Sequence, residues 1–228
     1  MKALRWSLGI VGDLLVTAGA LLLLFVAWQL WWTDVTANRV QGDTVHALTR
    51  DFGTGRSAAP ASETPRAVPF GKAFAILRIP RLGADYARPV LEGTSLDILQ
   101  EGVGHYTGTA APGAVGNFAV AGHRTTYGRP FHDIDRLRPG DKIVVETAQA
   151  YSVYVVRRHE IVDPTAVRVI APVPDKPGAK PTGRWMTMTA CHPKYSAAQR
   201  YVVFAELDHT YPRAKGLPVG TLAAPKGD

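Results

Sequence analysis

The sequence predicts a mostly β domain, a sandwich or barrel of about seven or eight strands with one or two short helices, held behind a single N-terminal transmembrane helix. Three observations predict it. From Phe74 to Leu207 apolar residues recur with strand periods, and Gly- and Pro-containing turns break the runs. One segment, TSLDILQEGVGHY, switches to a helical period. The 19 residues from Leu14 to Trp32 carry no charge, close to the roughly 20 that span a bilayer as a helix.

Lys2 and Arg5 precede the apolar segment, so the positive-inside rule sets residues 1–12 in the cytoplasm and the membrane helix over 13–32. Trp28, Trp31 and Trp32 close it with the amphipathic aromatics that favour the headgroup layer. A cleaved signal peptide has a shorter apolar core, about 7 to 15 residues. The segment therefore reads as an uncleaved, single-pass anchor, although Val35-Thr36-Ala37 offers a small-residue cleavage site. Either reading leaves the rest of the chain outside the cytoplasm. No sustained apolar period follows Thr33, and GTGRSAAPASETPRAVP is rich in Pro, Ser, Ala and Gly. Residues 33–70 thus read as a flexible tether, 71–210 as the folded domain and 211–228 as a tail.

Within the domain, FAILRIP (Phe74 to Pro80) is a short strand ended by proline. Ala84 to Gly93 alternates, with Pro89 asking for an edge or a bulge. In the helical segment Leu96, Leu99 and Val103 share a face, Thr94 is placed to cap, and Asp97 completes a capping-box pattern. Gly116 to His123 is a buried-type strand. A turn at RPGD leads to a strand from Lys142 to Thr147, and Ala150 to Val162 alternates as a half-exposed strand should. A proline-rich loop spans 171–183, followed by strands Arg184 to Cys191 and Arg200 to Leu207. No βαβ alternation is evident, so antiparallel pairing is expected throughout.

The formal charge is +7, but the arginines are interspersed with carboxylates and apolar residues, and no basic run interleaved with aromatics appears. A nucleic-acid partner is excluded on that pattern, and the charge suits an anionic cell envelope. No metal or other cofactor is expected: there is no H-E-x-x-H, no paired cysteine and no calcium-loop carboxylate cluster. Asp133 and Asp135 read as turn and surface positions.

Cys191 is the lone cysteine. In an extracytoplasmic domain an unpaired thiol is either reactive or a small buried hydrophobe. A reactive one attacks as thiolate and needs a neighbouring base or cation. Of the seven histidines, His192 is adjacent in a strand and so faces away. His46 lies in the tether and His209 near the tail. His123, ending a buried-type strand after Gly122, is the best placed; His105, His132 and His159 stay as alternatives. Arg200 opens the strand after Cys191, where antiparallel pairing brings the two ends together, or it is one more surface arginine.

These residues resemble the sortases, membrane-anchored cysteine transpeptidases of Gram-positive cell envelopes. The family's T-L-x-T-C motif is matched by Thr187-Met188-Thr189-Ala190-Cys191, its histidine motif by Ala121-Gly122-His123-Arg124, and its arginine by Arg200. The H-R-T-T-Y-G run and the Cys-His-Pro after the nucleophile are most similar to class E, the housekeeping group of actinobacteria. The resemblance implies a closed β-barrel with Cys191, His123 and Arg200 as catalytic residues. Thr189, Ala190 and Tyr127 would lie at the substrate site. Ala190 stands where the family has a threonine, and Tyr127 reads equally as a packing aromatic.

The implied reaction starts with attack of Cys191 on the Thr–Gly carbonyl of a C-terminal sorting signal, of L-A-x-T-G or L-P-x-T-G type. A peptidoglycan-precursor amine then resolves the thioacyl enzyme. Partners would be surface proteins bearing the signal, the lipid II-type amine and the membrane. The Asp-Pro-aromatic lid of pilin-polymerising sortases is missing from the tether sequence. Two other readings stand beside it: an envelope cysteine hydrolase using the same Cys–His logic, and an inactive, membrane-tethered wall-binding β-domain that needs no activated thiol.

Overall fold

The computed structural model describes residues 2–54 and 68–225. Its elements run α1 (Lys2–Gly53), β1 (Ala73–Arg78), β2 (Ala87–Glu92), α2 (Leu96–Glu101), β3 (Val103–His105), β4 (Gly116–Ala121), β5 (Lys142–Glu146), β6 (Ala150–Val162), β7 (Arg184–His192) and β8 (Gln199–Pro212), with short 3-10 turns between. The strands close into a barrel in the order β1-β2-β3-β4-β7-β8-β6-β5.

Closure depends on two parallel pairs, β2 with β3 and β4 with β7. Uniform antiparallel pairing is thus corrected at two seams, and β2-α2-β3 is a βαβ crossover. The sequence hid that unit because β3 is only three residues long and α2 only six. The cap of α2 is Ser95 rather than Thr94, and Asp97, which accepts a hydrogen bond from Ser95, is held below the usual carboxylate range. Ile98 is buried while Leu96 is exposed, so Ile98 takes the place expected for Leu96 beside half-buried Leu99 and buried Val103. Pro89 sits opposite Ile76 of β1, just before the β2–β3 ladder begins at Val90. Its missing N–H therefore costs the sheet nothing on that side.

Strand alternation sorts the side chains into two sets. Leu77, Val90, Phe118, Val120, Val145, Tyr154, Met186, Met188, Ala190 and Val203 fill the barrel with Phe131 and Ile134 from the β4–β5 connection. The outer face of β8 buries Val202 and Phe204 beneath the 3-10 turn at Val167–Ile170. There Asn117 donates to the carbonyls of Val169 and Ala171 (3.2 and 3.0 Å) and accepts from Thr187 at 2.9 Å.

The larger departure is α1. Through Leu14, Leu21 to Phe25, Trp28, Trp31 and Trp32 its apolar side chains are exposed all round, and it is long and apolar enough to cross a membrane. The helix does not stop at Trp32. It continues to Gly53 and lies on the barrel, correcting the expected tether over 33–53; the Ser- and Pro-rich remainder of that tether, 55–67, falls outside the described residues. Ala37, Gln41, Val45, Leu48 and Phe52, spaced at i, i+4, i+8, i+11 and i+15, are buried. Val45, Leu48 and Phe52 pack on Ile76, with Ala73, Ala87 and Ala148 around them. The stripe is narrow and contains a glutamine, which is why it carried no clear period.

Candidate active site

The site is built at the end of β4, β7 and β8. In the β7–β8 ladder Cys191 is directly opposite Arg200, and such cross-strand partners share a face with Cβ atoms about 5 Å apart. On the other side β7 runs parallel to β4, with Ala121 beside Thr189 and the Gly122 N–H donating to the Thr189 carbonyl at 3.1 Å. His123 follows two residues after Ala121 and Cys191 two residues after Thr189, so both lie at the same end of neighbouring parallel strands. Cys191 is half-buried and unpaired. Arg200 rests its guanidinium on the carbonyls of Ala197 and Gln199, at 3.0 and 2.9 Å.

His123 leaves β4 through Gly122, where a Cβ would meet the Phe131 ring at 2.6 Å. Burial depresses its basicity below the ordinary histidine value, favouring neutral imidazole. Its Nε2 is the one buried side-chain nitrogen or oxygen among the described residues with no hydrogen-bond partner. The other candidates are engaged elsewhere. His105 is buried between Glu92 (Nδ1 to Oε2, 2.6 Å) and Thr109 (Nε2 to Oγ1, 2.9 Å). His132 donates from Nδ1 to the Arg124 carbonyl at 2.9 Å, and His159 is exposed against the Tyr201 ring.

Alternation also separates the two residues before the cysteine. Thr189 is on the Cys191 face, buried, its hydroxyl 3.0 Å from that of Tyr106. The Ala190 side chain points the other way, into the barrel core at 3% exposure. A methyl there in place of the family hydroxyl alters the core lining rather than the face that carries Cys191, so only the Ala190 backbone is offered to that face. Tyr127 stands with its ring centroid 5.1 Å from that of His123.

Arg124 was not singled out from the sequence, and it ties the site together. Only 3% exposed, it donates from Nη1 to His192 Nδ1 (2.9 Å) and the Cys191 carbonyl (3.3 Å), and from Nη2 to Asp135 (2.6 Å). Its guanidinium also lies over the Tyr201 ring at 5.6 Å. It therefore bridges the residue after His123 to the backbone of the cysteine. The signal for it was its place beside His123 in AGHR; nothing in the spacing named its partners, which come from three other segments.

A closed barrel with a free thiol near the end of one strand and an unpartnered imidazole just past the end of its parallel neighbour suits cysteine-dependent acyl transfer. The sequence model of the sortase domain matches residues 77–208. Over 216 residues the chain is 41% identical to sortase SrtE1 of Streptomyces coelicolor, an alignment covering 91% of this chain and 59% of that relative's length. Sortase E from Streptomyces avermitilis superposes with a TM-score of 0.62 at 45% identity, over 68% of this chain and 99% of that one. Sortase E1 from Streptomyces coelicolor, solved with a tripeptide in its active site, gives 0.60 at 42% identity, over 65% and 96%. The chain belongs to the sortase family and is similar to its class E members.

Proposed function

We propose that the protein is a membrane-anchored sortase, a cysteine transpeptidase that joins proteins bearing a C-terminal sorting signal to an amine of the cell wall. The observation that carries this reading is the unpartnered, buried Nε2 of His123, which comes off β4 at the same end of the parallel β4–β7 pair as the half-exposed Cys191 thiol. A buried polar atom without a partner is costly, and here a scissile amide nitrogen would supply one.

The Cys191 thiolate attacks the carbonyl carbon of the Thr–Gly bond. His123 gives a proton to the departing glycine amine, leaving a thioester on Cys191. A peptidoglycan-precursor amine then attacks that thioester, losing its proton to His123 as the thiolate departs. Arg200 exchanges two solvent-accessible carbonyls for the developing oxyanion and the substrate backbone. Thr189, the Ala190 backbone and Tyr127 line the acyl side. The N-terminus is cytoplasmic and the barrel faces outward, where both the signal and a lipid-linked amine are at hand. The tripeptide in the active site of the Streptomyces coelicolor relative supports a peptide substrate; class E similarity favours L-A-x-T-G.

The test is incubation of the full chain in nanodiscs with fluorogenic L-A-x-T-G and L-P-x-T-G peptides, with and without an amine acceptor. Amine-ligated product that requires Cys191 is expected. Free acid alone, whatever amine is offered, makes the protein a hydrolase. No cleavage with an unreactive thiol makes it a binding domain.

A further inference from the structure

The loop that carries His123 has an unusual tip. Tyr127, Gly128 and Arg129 have consecutive positive φ values of 52°, 75° and 48°. Two of them are not glycine, and each such residue costs on the order of 1 kcal/mol or more, persisting only where its surroundings over-determine it. Those surroundings are the extramembrane half of α1 and one residue of β2.

Gln41, 1% exposed, donates from Nε2 to the Tyr127 carbonyl at 2.9 Å. Asp34 accepts the Gly128 N–H at 3.1 Å and pairs with Arg129 at 2.9 Å. Arg88 donates to the Gly128 carbonyl at 3.0 Å and, through its other nitrogen, to Asn38 and Gln41 at 2.7 and 2.9 Å. The fit is close: a Cβ on Gly128 would stand 3.0 Å from Asn38 Oδ1 and 3.1 Å from Gln41 Nε2. Backbone groups that a strained turn would leave to water are thus taken by side chains from the anchor helix and its neighbour.

We propose that Asp34 and Gln41 of α1, together with Arg88 of β2, are positioning residues for the reaction, holding the 127–129 tip so that Tyr127 stays against His123. The inference rests on the reading of His123 as the acid–base group. The same clasp fixes the height of the site. Asp34 is two residues past Trp32 and Gln41 nine, so at about 1.5 Å per residue the catalytic loop hangs within about 14 Å of the aromatic belt. A rigid helix rather than a flexible tether then links membrane and site, and it presents the site to substrates that are themselves membrane-bound.

The test uses the full chain in nanodiscs and the variants Gln41→Leu, Asp34→Ala and Asp34→Asn, with Val45→Ala as a control that thins the α1–barrel contact away from the loop. Two readouts are taken: steady-state ligation kinetics, and amide exchange of the 124–131 segment, which needs no activity. Gln41→Leu and Asp34→Ala are expected to speed that exchange and lower kcat by about tenfold, with KM within about twofold. Asp34→Asn, which keeps an acceptor for Gly128, is expected to recover most of kcat, and Val45→Ala to leave both readouts near wild type.

Unchanged exchange and kcat in Gln41→Leu and Asp34→Ala overturn the proposal. So does an equal loss of kcat in Val45→Ala, which would mean general destabilisation. If the wild type proves inactive, faster exchange in these variants supports the clasp while the functional reading fails. Unchanged exchange in that case sinks the clasp as well.

Discussion

Cys191 and His123 are held by different means. Cys191 sits on a nine-residue strand paired on both sides, and its place opposite Arg200 follows from backbone register alone. His123 stands on a loop whose shape depends on side chains from distant elements: Gln41, Arg88, Asp34, and Tyr86, whose hydroxyl donates to the Pro130 carbonyl at 2.6 Å. The thiol is fixed by a ladder and the imidazole by a set of separate bonds. Substitution near the cysteine should therefore act on chemistry, and substitution around the histidine loop on geometry.

The largest effect should come from the strand side. Cys191→Ala is expected to cut ligation by roughly a thousandfold or more, as loss of a nucleophile does, while Tm stays within a few degrees because no ladder bond is lost. A thiol-independent residual rate near wild type would break the assignment. Next comes the bridge between the two regions. Arg124→Met should cost about 2–3 kcal/mol, from lost charge-assisted bonds and an unsatisfied Cys191 carbonyl, read as a lower urea midpoint at constant m-value. It should lower activity beyond that loss of stability, and Arg124→Lys should not restore it, since one ammonium cannot span Asp135, His192 and the carbonyl.

A matched pair of tyrosines separates loop geometry from bulk stability. Tyr86→Phe and Tyr154→Phe each remove one partly buried hydrogen bond, to the Pro130 carbonyl and from the Gly113 N–H respectively, and each should cost about 1 kcal/mol. Burial raises both phenols, Tyr154 to about 12, so neither ionises in the working range. Only Tyr86→Phe should slow ligation, because Gly113 lies in the β3–β4 loop, away from the His123 loop. Equal kinetic losses in both would mean that activity tracks bulk stability.

The smallest effect is a pH shift. Burial sets the folded-state value of His123 below its ordinary 6.5. As pH falls through 6.5 the unfolded chain takes up the proton first, so the His123 contribution to stability declines, flattening once pH passes the folded value. If thiolate and imidazolium form the reactive pair, the acid limb of kcat/KM should have its midpoint below 6.5. Tyr127→Ala, admitting water to the ring, should move that limb upward toward 6.5. A limb that stays in place means Tyr127 does not shield His123.

Much of the barrel was legible because strand alternation is a local signal: β6 occupies Ala150–Val162 as its pattern indicates, and β1, β4, β5 and β7 lie within a residue or two of their expected spans. The pairing of Cys191 with Arg200 was legible for the same reason, since a short connection fixes the register of neighbouring antiparallel strands. The three-residue β3 was not, because a strand that short has no period to read. Nor was the docked half of α1, where the buried stripe takes in Gln41 and a polar residue at a core position blurs the apolar repeat.

Local pattern was enough to read the apolar N-terminal helix, the strand-rich domain behind it and the pairing of Cys191 with Arg200. Long-range packing alone sets how the barrel closes through its parallel seams, turns the Ala190 side chain inward, and brings Gln41, Asp34 and Arg88 onto the 127–129 tip and Arg124 onto Asp135, His192 and the Cys191 carbonyl. The reason is range: period and propensity act over a few residues, whereas these side chains find partners up to 94 positions away, and only the folded chain brings them together.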